Sequence, residues 1–227
     1  MHRVQKLLSN YGYCSRRKAE ELIKQGRVRV NNKIITIGDK AKETDDIYVN
    51  DELVKKQQKV YLMFNKPLGC VTAVKDPIFD TVMDYVKVKE RVFPIGRLDY
   101  NTSGLLLFTN DGDFANNVMH PRYEIKKTYL VGLRDKITDK QIKQIEKGVM
   151  LEDGKTSPAN VKKQNPNLIE ITIHEGKNKI IRRILKKIDL KIRFLKRIRI
   201  GKLELKDLKE GKYRFLTEKD KEKIFAL

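Results

Sequence analysis

The sequence of 227 residues is poor in the residues that build metal centres and disulfide frameworks: it has two cysteines, three histidines and no tryptophan. Cys14 and Cys70 lie far apart in the chain, and His2, His120 and His174 are scattered along it. A zinc site needs closely spaced Cys and His pairs, and this sequence has none. The sequence therefore predicts no metal site, and it favours two reduced thiols over a disulfide.

Long apolar runs are also scarce. No run approaches the roughly 20 apolar residues that a membrane-spanning helix requires. The first ten residues, MHRVQKLLSN, lack the apolar centre of a signal peptide. We therefore expect a cytoplasmic protein that has no membrane partner.

Acidic residues are the third deficit. The chain has 50 Lys and Arg against 30 Asp and Glu, a formal net charge of +20. A field of this sign attracts polyanions over a distance, so nucleic acid is the favoured class of partner. An anionic membrane surface is the alternative, but no stretch has the wide apolar face of a basic membrane anchor.

The N-terminal segment combines two predicted helices with a local excess of basic residues. We predict one helix over 3–10 and a second from its cap at Ser15 to Gln25, followed by short strands separated by tight turns. The first 33 residues contain nine Lys or Arg but only two acidic residues. This imbalance favours contact with phosphates, for which the candidate residues are Arg16, Arg17, Lys18 and Arg27.

The polar stretch KKQQK at 55–59 predicts a linker. We therefore expect a first domain at 1–57 and a second at 58–227. Strand and helix patterns alternate in the second domain without long crossovers, which predicts an α+β fold with a largely antiparallel sheet. The predicted elements include strands at 60–64, 70–74, 105–108, 123–132, 168–173 and 191–200, and helices at 113–119, 138–147 and 178–187.

The stretch FPIGRLDYNTSGLLLFTNDG, at 93–112, contains the buried strand 105–108 and a turn that stops it. Arg97 and Asp99 lie in the loop before this strand. For an isolated aspartate, capping a turn and pairing with the nearby arginine would be the usual role.

The stretch 177–202 is the densest basic region, with twelve Lys or Arg and one acidic residue. On the predicted helix, Arg182 and Lys186 share a face, and so do Arg183 and Lys187. Like charges at this spacing repel each other, so the pattern favours an RNA or DNA backbone track over a merely solvated surface.

Two resemblances to known families follow from these motifs. The segment SRRKAEELIKQGRVRVNN resembles the S4 RNA-binding module. The segments GRLDYNTSGLLLFTNDG, HPRYEIKKTYLV and HEGKNKIIRRILKKI resemble the RsuA/RluB-type ribosomal RNA pseudouridine synthases. The resemblance implies a small S4-like α/β module, followed by a catalytic domain whose mixed, mostly antiparallel sheet is flanked by helices.

The resemblance also implies the reaction: a uridine of ribosomal RNA is isomerised to pseudouridine without a cofactor, after the base has been flipped out of its stack. Asp99 would be the essential carboxylate, either as a nucleophile or as the base that removes a sugar proton. Arg182 would hold Asp99 ionised, Tyr129 would stack on the uracil, and Arg97 and Lys127 would contact the substrate. Further RNA-backbone contacts are implied for Lys66, Lys177 and Arg183.

Two other functions are compatible with parts of the sequence. A non-catalytic ribosome-assembly factor would bind ribosomal RNA through the S4-like segment and would not need Asp99, Tyr129 and Arg182 together. A nucleoside-bond hydrolase would commonly use a pair of carboxylates, whereas this site has one. Within the synthase family the motif residues resemble the branch that modifies the large ribosomal subunit, so we expect a large-subunit substrate. We also expect a monomer.

Overall fold

The computed structural model describes residues 1–226, which form two compact units. The first unit comprises 1–61 together with the segments 88–93 and 109–114. The second comprises 62–87, 94–108 and the chain from 115 onward. The domain boundary between 57 and 58 stays a prediction.

Helices and strands interleave along the described chain. The α-helices are α1 Val4–Asn10, α2 Arg16–Lys24, α3 Gly112–Met119, α4 Asp139–Lys147, α5 Ile180–Lys187 and α6 Glu218–Phe225. The strands are β1 His2–Arg3, β2 Val28–Val30, β3 Lys33–Ile34, β4 Lys40–Ala41, β5 Ile47–Val49, β6 Glu52–Leu53, β7 Tyr61–Lys66, β8 Phe93–Ile95, β9 Ser103–Thr109, β10 Lys127–Leu133, β11 Met150–Leu151, β12 Gly154–Lys155, β13 Asn160–Asn165, β14 Leu168–Ile173, β15 Ile192–Ile200, β16 Leu203–Glu204 and β17 Tyr213–Phe215. No described helix is long and apolar enough to cross a membrane.

The first unit packs α1 and α2 with a four-stranded sheet in the order β3-β2-β5-β6. Helix α2 begins at the predicted cap, where the Ser15 hydroxyl accepts a hydrogen bond of 3.1 Å from the amide of Lys18. Its apolar residues Ala19, Leu22 and Ile23 are buried in the core of this unit. The basic residues on the other side of α2 therefore remain exposed to solvent.

The second unit is built on one large sheet in the order β13-β14-β10-β15-β9-β7-β17, with β8 and β16 attached beside this path. Pairing is antiparallel from β13 to β15, and β15 pairs with β9 in parallel. One core covers part of this sheet, where Val131 and Ile171 pack with Ile145 of α4 and Ile184 of α5. The predicted α+β class and mostly antiparallel sheet are confirmed.

Gly104 determines how closely β9 and β15 approach each other. Its φ is +107°, and a Cβ atom there would lie 2.2 Å from the carbonyl oxygen of Arg197. Only glycine combines this backbone conformation with this contact. The close approach fixes β15 against the strand that follows the Asp99 loop.

One further prediction of local structure is confirmed and two are wrong. Thr138 and Gln141 form the predicted capping box at the start of α4. The predicted strand at 70–74 is wrong: Val71 forms only an isolated bridge with Thr81, because its amide and carbonyl bond to the chain at 80 and 82. The strand predicted from 123 begins only at 127, because residues 121–123 form a 3-10 turn and Glu124 is left-handed, with φ of +47°.

Candidate active site

The loop that carries Asp99 connects β8 to β9. The amide and carbonyl of Leu98 both bond to the Thr72 hydroxyl, at 3.1 and 2.7 Å. The amide of Thr102 donates to the carbonyl of Asp99 at 3.0 Å, which closes a turn directly after the aspartate. The loop is therefore held on both sides of Asp99, whose side chain is about one-third exposed.

Lys66, at the end of β7, is fully buried beneath this loop. Its ammonium donates to three carbonyl oxygens, those of Pro67, Asp99 and Thr102, at 3.0, 3.2 and 3.1 Å. Burial lowers the pKa of Lys66, and the nearby Cys70 and Asp99 partly oppose that shift. The assignment of Lys66 to the RNA backbone is wrong, because a side chain without exposed surface cannot reach a phosphate. Lys66 instead positions the Asp99 loop.

Arg182, in the first turn of α5, lies beside the same loop. Its Nε is 3.9 Å from Oδ2 of Asp99, and its Nη2 donates to the Asn101 carbonyl at 2.6 Å and to the Thr102 hydroxyl at 3.2 Å. The guanidinium thus approaches the carboxylate while hydrogen bonds fix it to the backbone on the far side of the turn. Arg182 is only partly buried, with 29% of its side chain exposed.

A cavity of about 450 Å³ opens next to Asp99, wholly within the second unit. It contains six of the residues predicted from the sequence: Arg97, Asp99, Lys127, Tyr129, Lys177 and Arg182. Lys179, Arg197 and Glu175 also line it. Six cationic side chains therefore face two carboxylates, and this balance favours an anionic ligand.

Lys127 and Tyr129 reach the cavity from β10. Residues two apart on a strand point to the same face of the sheet. The pairing of β10 with β15 shifts by one residue between Thr128 and Tyr129, as in a β-bulge. Burial, and then the charge of Arg197, lower the pKa of Lys127 to about 8. Tyr129 pairs across the strands with Arg197 and packs partly against the core.

Lys179, Arg197 and Glu175 are the charged cavity residues that the sequence did not single out. Arg197 is 5% exposed, and its Nε donates to the Leu105 carbonyl at 2.7 Å. Glu175 accepts from the amide of Ser157 at 2.8 Å and lies 3.5 Å from the Lys177 ammonium. The alternation of β15 contained the signal for Arg197, since it lies two residues after the buried Leu195.

The remaining cations assigned to the RNA backbone lie outside the cavity. Arg183 forms a two-point ion pair with Asp153, whose Oδ2 accepts from Nη1 at 3.0 Å. In the first unit Arg16, Arg17, Lys18 and Arg27 are all exposed. Lys18 pairs with Glu21 at 3.0 Å, and Arg27 donates to Asn50 at 2.7 Å.

Within residues 1–226, no group of three or more His, Cys, Asp or Glu side chains is arranged to hold a metal ion. Cys14 and Cys70 are both free cysteines.

Comparison with known proteins identifies the family. The family model described as RNA pseudouridylate synthase matches residues 60–187, and the model described as S4 domain matches residues 2–47. The chain is 43% identical to the ribosomal large subunit pseudouridine synthase B of Bacillus subtilis (strain 168), over 100% of this chain and 97% of that relative. It is 36% identical to the dual-specificity RNA pseudouridine synthase RluF of Escherichia coli (strain K12), over 99% of this chain and 79% of that relative.

A solved structure shows the same architecture. The structure described as a crystal structure of pseudouridylate synthase superposes with a TM-score of 0.74 at 31% identity, over 99% of this chain and 100% of that chain. The chain belongs to the RNA pseudouridylate synthase family and has an S4 domain at its N-terminus. The family and fold expected from the motifs are confirmed.

Proposed function

We propose that this protein isomerises a uridine of large-subunit ribosomal RNA to pseudouridine, with Asp99 as the essential carboxylate. The observation that carries the proposal is the cationic cavity beside Asp99, with the Arg182 guanidinium 3.9 Å from the carboxylate. The name of the Bacillus subtilis relative, which covers the whole chain, supports the large subunit as the substrate.

The reaction breaks the N1–C1′ bond of uridine and joins C5 of the same base to C1′. Asp99 acts as a carboxylate in either route, whether it attacks C1′ or removes a sugar proton. The Arg182 guanidinium favours this charged form by its proximity. The hydrogen bonds from Lys66 and Thr102 to the Asp99 carbonyl keep the carboxylate in place while the base turns.

The target base must leave its stack to reach Asp99. The cavity of about 450 Å³ accommodates a single flipped nucleotide, and Tyr129 offers an aromatic ring against which the uracil is held. Arg97 is exposed beside Asp99, where its charge contacts the RNA backbone near the vacated position. Lys127 and Lys177 add positive charge to the cavity wall.

The S4 domain contributes affinity for the same RNA. Arg16, Arg17, Lys18 and Arg27 present exposed cations for phosphate contacts, which are insensitive to sequence and weaken as salt concentration rises. We assign general affinity for the RNA backbone to these contacts and the chemistry to the second unit. The protein acts as a monomer in this proposal.

Release of tritium from uracil C5 tests the proposal. Ribosomal RNA labelled at C5 is incubated with the wild type, with Asp99→Asn and with Asp135→Asn, which alters an exposed aspartate outside the cavity. We expect release by the wild type and by Asp135→Asn, and a loss of roughly 10⁴-fold or more for Asp99→Asn. Binding to labelled RNA should be equal for all three proteins.

The possible outcomes separate the competing functions. Equal release by the wild type and Asp99→Asn would refute the role of Asp99. Tight binding without release, from both free RNA and intact subunits, would favour the non-catalytic assembly factor. Release from small-subunit RNA alone would refute the assignment to the large subunit.

A further inference from the structure

Arg197 has a buried nitrogen for which the described residues provide no partner. Its side chain lines the cavity, and only 5% of the residue is exposed. One nitrogen, Nε, donates to the Leu105 carbonyl at 2.7 Å, whereas the buried Nη2 has no hydrogen-bond acceptor within residues 1–226. A buried N–H group of a charged side chain without an acceptor is unfavourable, and such groups are rare in folded proteins.

The charges around Arg197 make this arrangement more unusual. Lys127, a second cation, also lines the cavity, and its pKa is lowered first by burial and then by the charge of Arg197. The two carboxylates of the cavity lie beside other cations, Asp99 beside Arg182 and Glu175 beside Lys177. If Arg197 had only a structural role, its Nε contact to Leu105 would be sufficient. That role does not explain why a guanidinium with an unpartnered N–H group lies in a cationic cavity.

The position of Arg197 is fixed relative to Asp99. Its backbone pairs in parallel with Gly104, where no other residue allows the same approach. Its side chain bonds to the next residue of the same strand, Leu105. Strand β9 begins directly after the turn that holds Asp99, so the guanidinium and the carboxylate are anchored to one continuous segment.

We infer that Arg197 donates Nη2–H to a carbonyl oxygen of the target uracil and stabilises the base as an anion after it separates from the sugar. This inference rests on the proposed function and names the part of the substrate that the cavity recognises. Arginine suits the task because its planar fork can bond to Leu105 through one nitrogen and to a base through another.

The reaction requires a group with this charge. When the N1–C1′ bond breaks, its electron pair stays on the uracil, and the negative charge spreads over N1, O2 and O4. The C5–C1′ bond then forms from the electrons of the same anion, C5 loses its proton and N1 gains one, so substrate and product are isomers. A preorganised donor aimed at O2 or O4 is more favourable for the anion than for neutral uridine, which accelerates the bond cleavage.

The test combines one atom of the substrate with one residue of the protein. Short RNAs are prepared in which O2 or O4 of the target uridine is replaced by sulfur, a weaker acceptor. Single-turnover rates are measured for the wild type and Arg197→Met on both RNAs and on unmodified RNA. Arg134→Met makes the same change at an exposed arginine that does not line the cavity.

We expect Arg197→Met to slow the reaction on unmodified RNA by roughly 10²-fold, with little change in RNA affinity. For one of the two carbonyls, the effect of sulfur should differ between the wild type and Arg197→Met by roughly 10-fold. Arg134→Met should behave like the wild type throughout. A structural role for Arg197 would slow all three RNAs equally.

Several results would overturn the inference. It fails if sulfur has the same effect in the wild type and in Arg197→Met at both carbonyls, or if Arg197→Met retains the wild-type rate. If Arg197→Met does not fold, Arg197→Lys replaces it, since its single ammonium can satisfy the Leu105 carbonyl but provides no second nitrogen for the base. Conversion of uridine by the wild type upholds the synthase activity whatever the Arg197 variants do, so failure of this inference is distinguishable from failure of the proposed function. A wild type that converts no uridine in free ribosomal RNA or in intact subunits would refute both.

Discussion

Replacement of Lys66 by methionine tests how the Asp99 loop is held. The change keeps an unbranched side chain of similar length and removes an ammonium that donates to three carbonyl oxygens. Each hydrogen bond from a charged donor contributes about 1.5–3 kcal/mol net. Burial of the charge, which lowers the pKa of Lys66, offsets part of this sum. We expect a net loss of about 3 kcal/mol, because three carbonyls that are buried or partly buried would lose this charged donor.

The assay is urea unfolding followed by far-UV circular dichroism, together with the rate of pseudouridine formation. Lys75→Met is the matched control, because Lys75 is exposed in the loop after β7 and its replacement should change stability by less than about 0.5 kcal/mol. Lys66→Met should lower the urea midpoint. It should also lower kcat while changing KM little, because it loosens the Asp99 loop without removing a substrate contact. If Lys66→Met matches Lys75→Met in both measurements, the three bonds do not hold this loop.

Two further predictions concern the strands beside the cavity. Gly104→Ala should destabilise the protein by more than about 3 kcal/mol in the same urea assay, because the new Cβ would lie 2.2 Å from the Arg197 carbonyl. Gly154→Ala, at φ of +105° but with open space around it, should cost only the roughly 1–2 kcal/mol of a left-handed backbone, and equal losses would contradict the steric argument. The pKa of Lys127, lowered to about 8, implies that its charge is lost as the pH rises through that value. RNA binding measured by filter retention should then weaken by roughly 3- to 10-fold between about pH 6.5 and about pH 8.5, whereas Lys127→Arg should bind equally at both.

Local patterns determined the parts of the fold that depend on neighbouring residues. The cap at Ser15 and the capping box of Thr138 and Gln141 were predictable because each involves residues three apart in one helix turn. The buried strand around 105–108 was predictable from its apolar run. The net charge of +20 predicted a nucleic acid partner without any knowledge of the fold.

Local patterns failed where distant segments compete for the backbone. Residues 70–74 have the composition of a strand, but the Thr72 hydroxyl bonds to Leu98, 26 residues away, and Val71 bonds to the chain around Thr81. Lys66 lies just after the strand predicted at 60–64, and its sequence context predicts an exposed cation. Its acceptors come partly from a loop 33 residues further along, so no local pattern could show that its ammonium is buried.

The sequence by itself determined the family, through the motifs around Asp99, Tyr129 and Arg182, and the tertiary structure decided what surrounds Asp99. Strand β15 and helix α5 come from segments more than 80 residues beyond Asp99, and only the folded sheet brings Arg197 and Arg182 to the same cavity. Burial then distinguishes the cations: Lys66 supports the loop, Arg183 pairs with Asp153, and Arg197 has a buried N–H group without an acceptor among the described residues. The sequence alone cannot distinguish these lysines and arginines, because their burial and hydrogen-bond partners are set by the folded chain and not by the order of its residues.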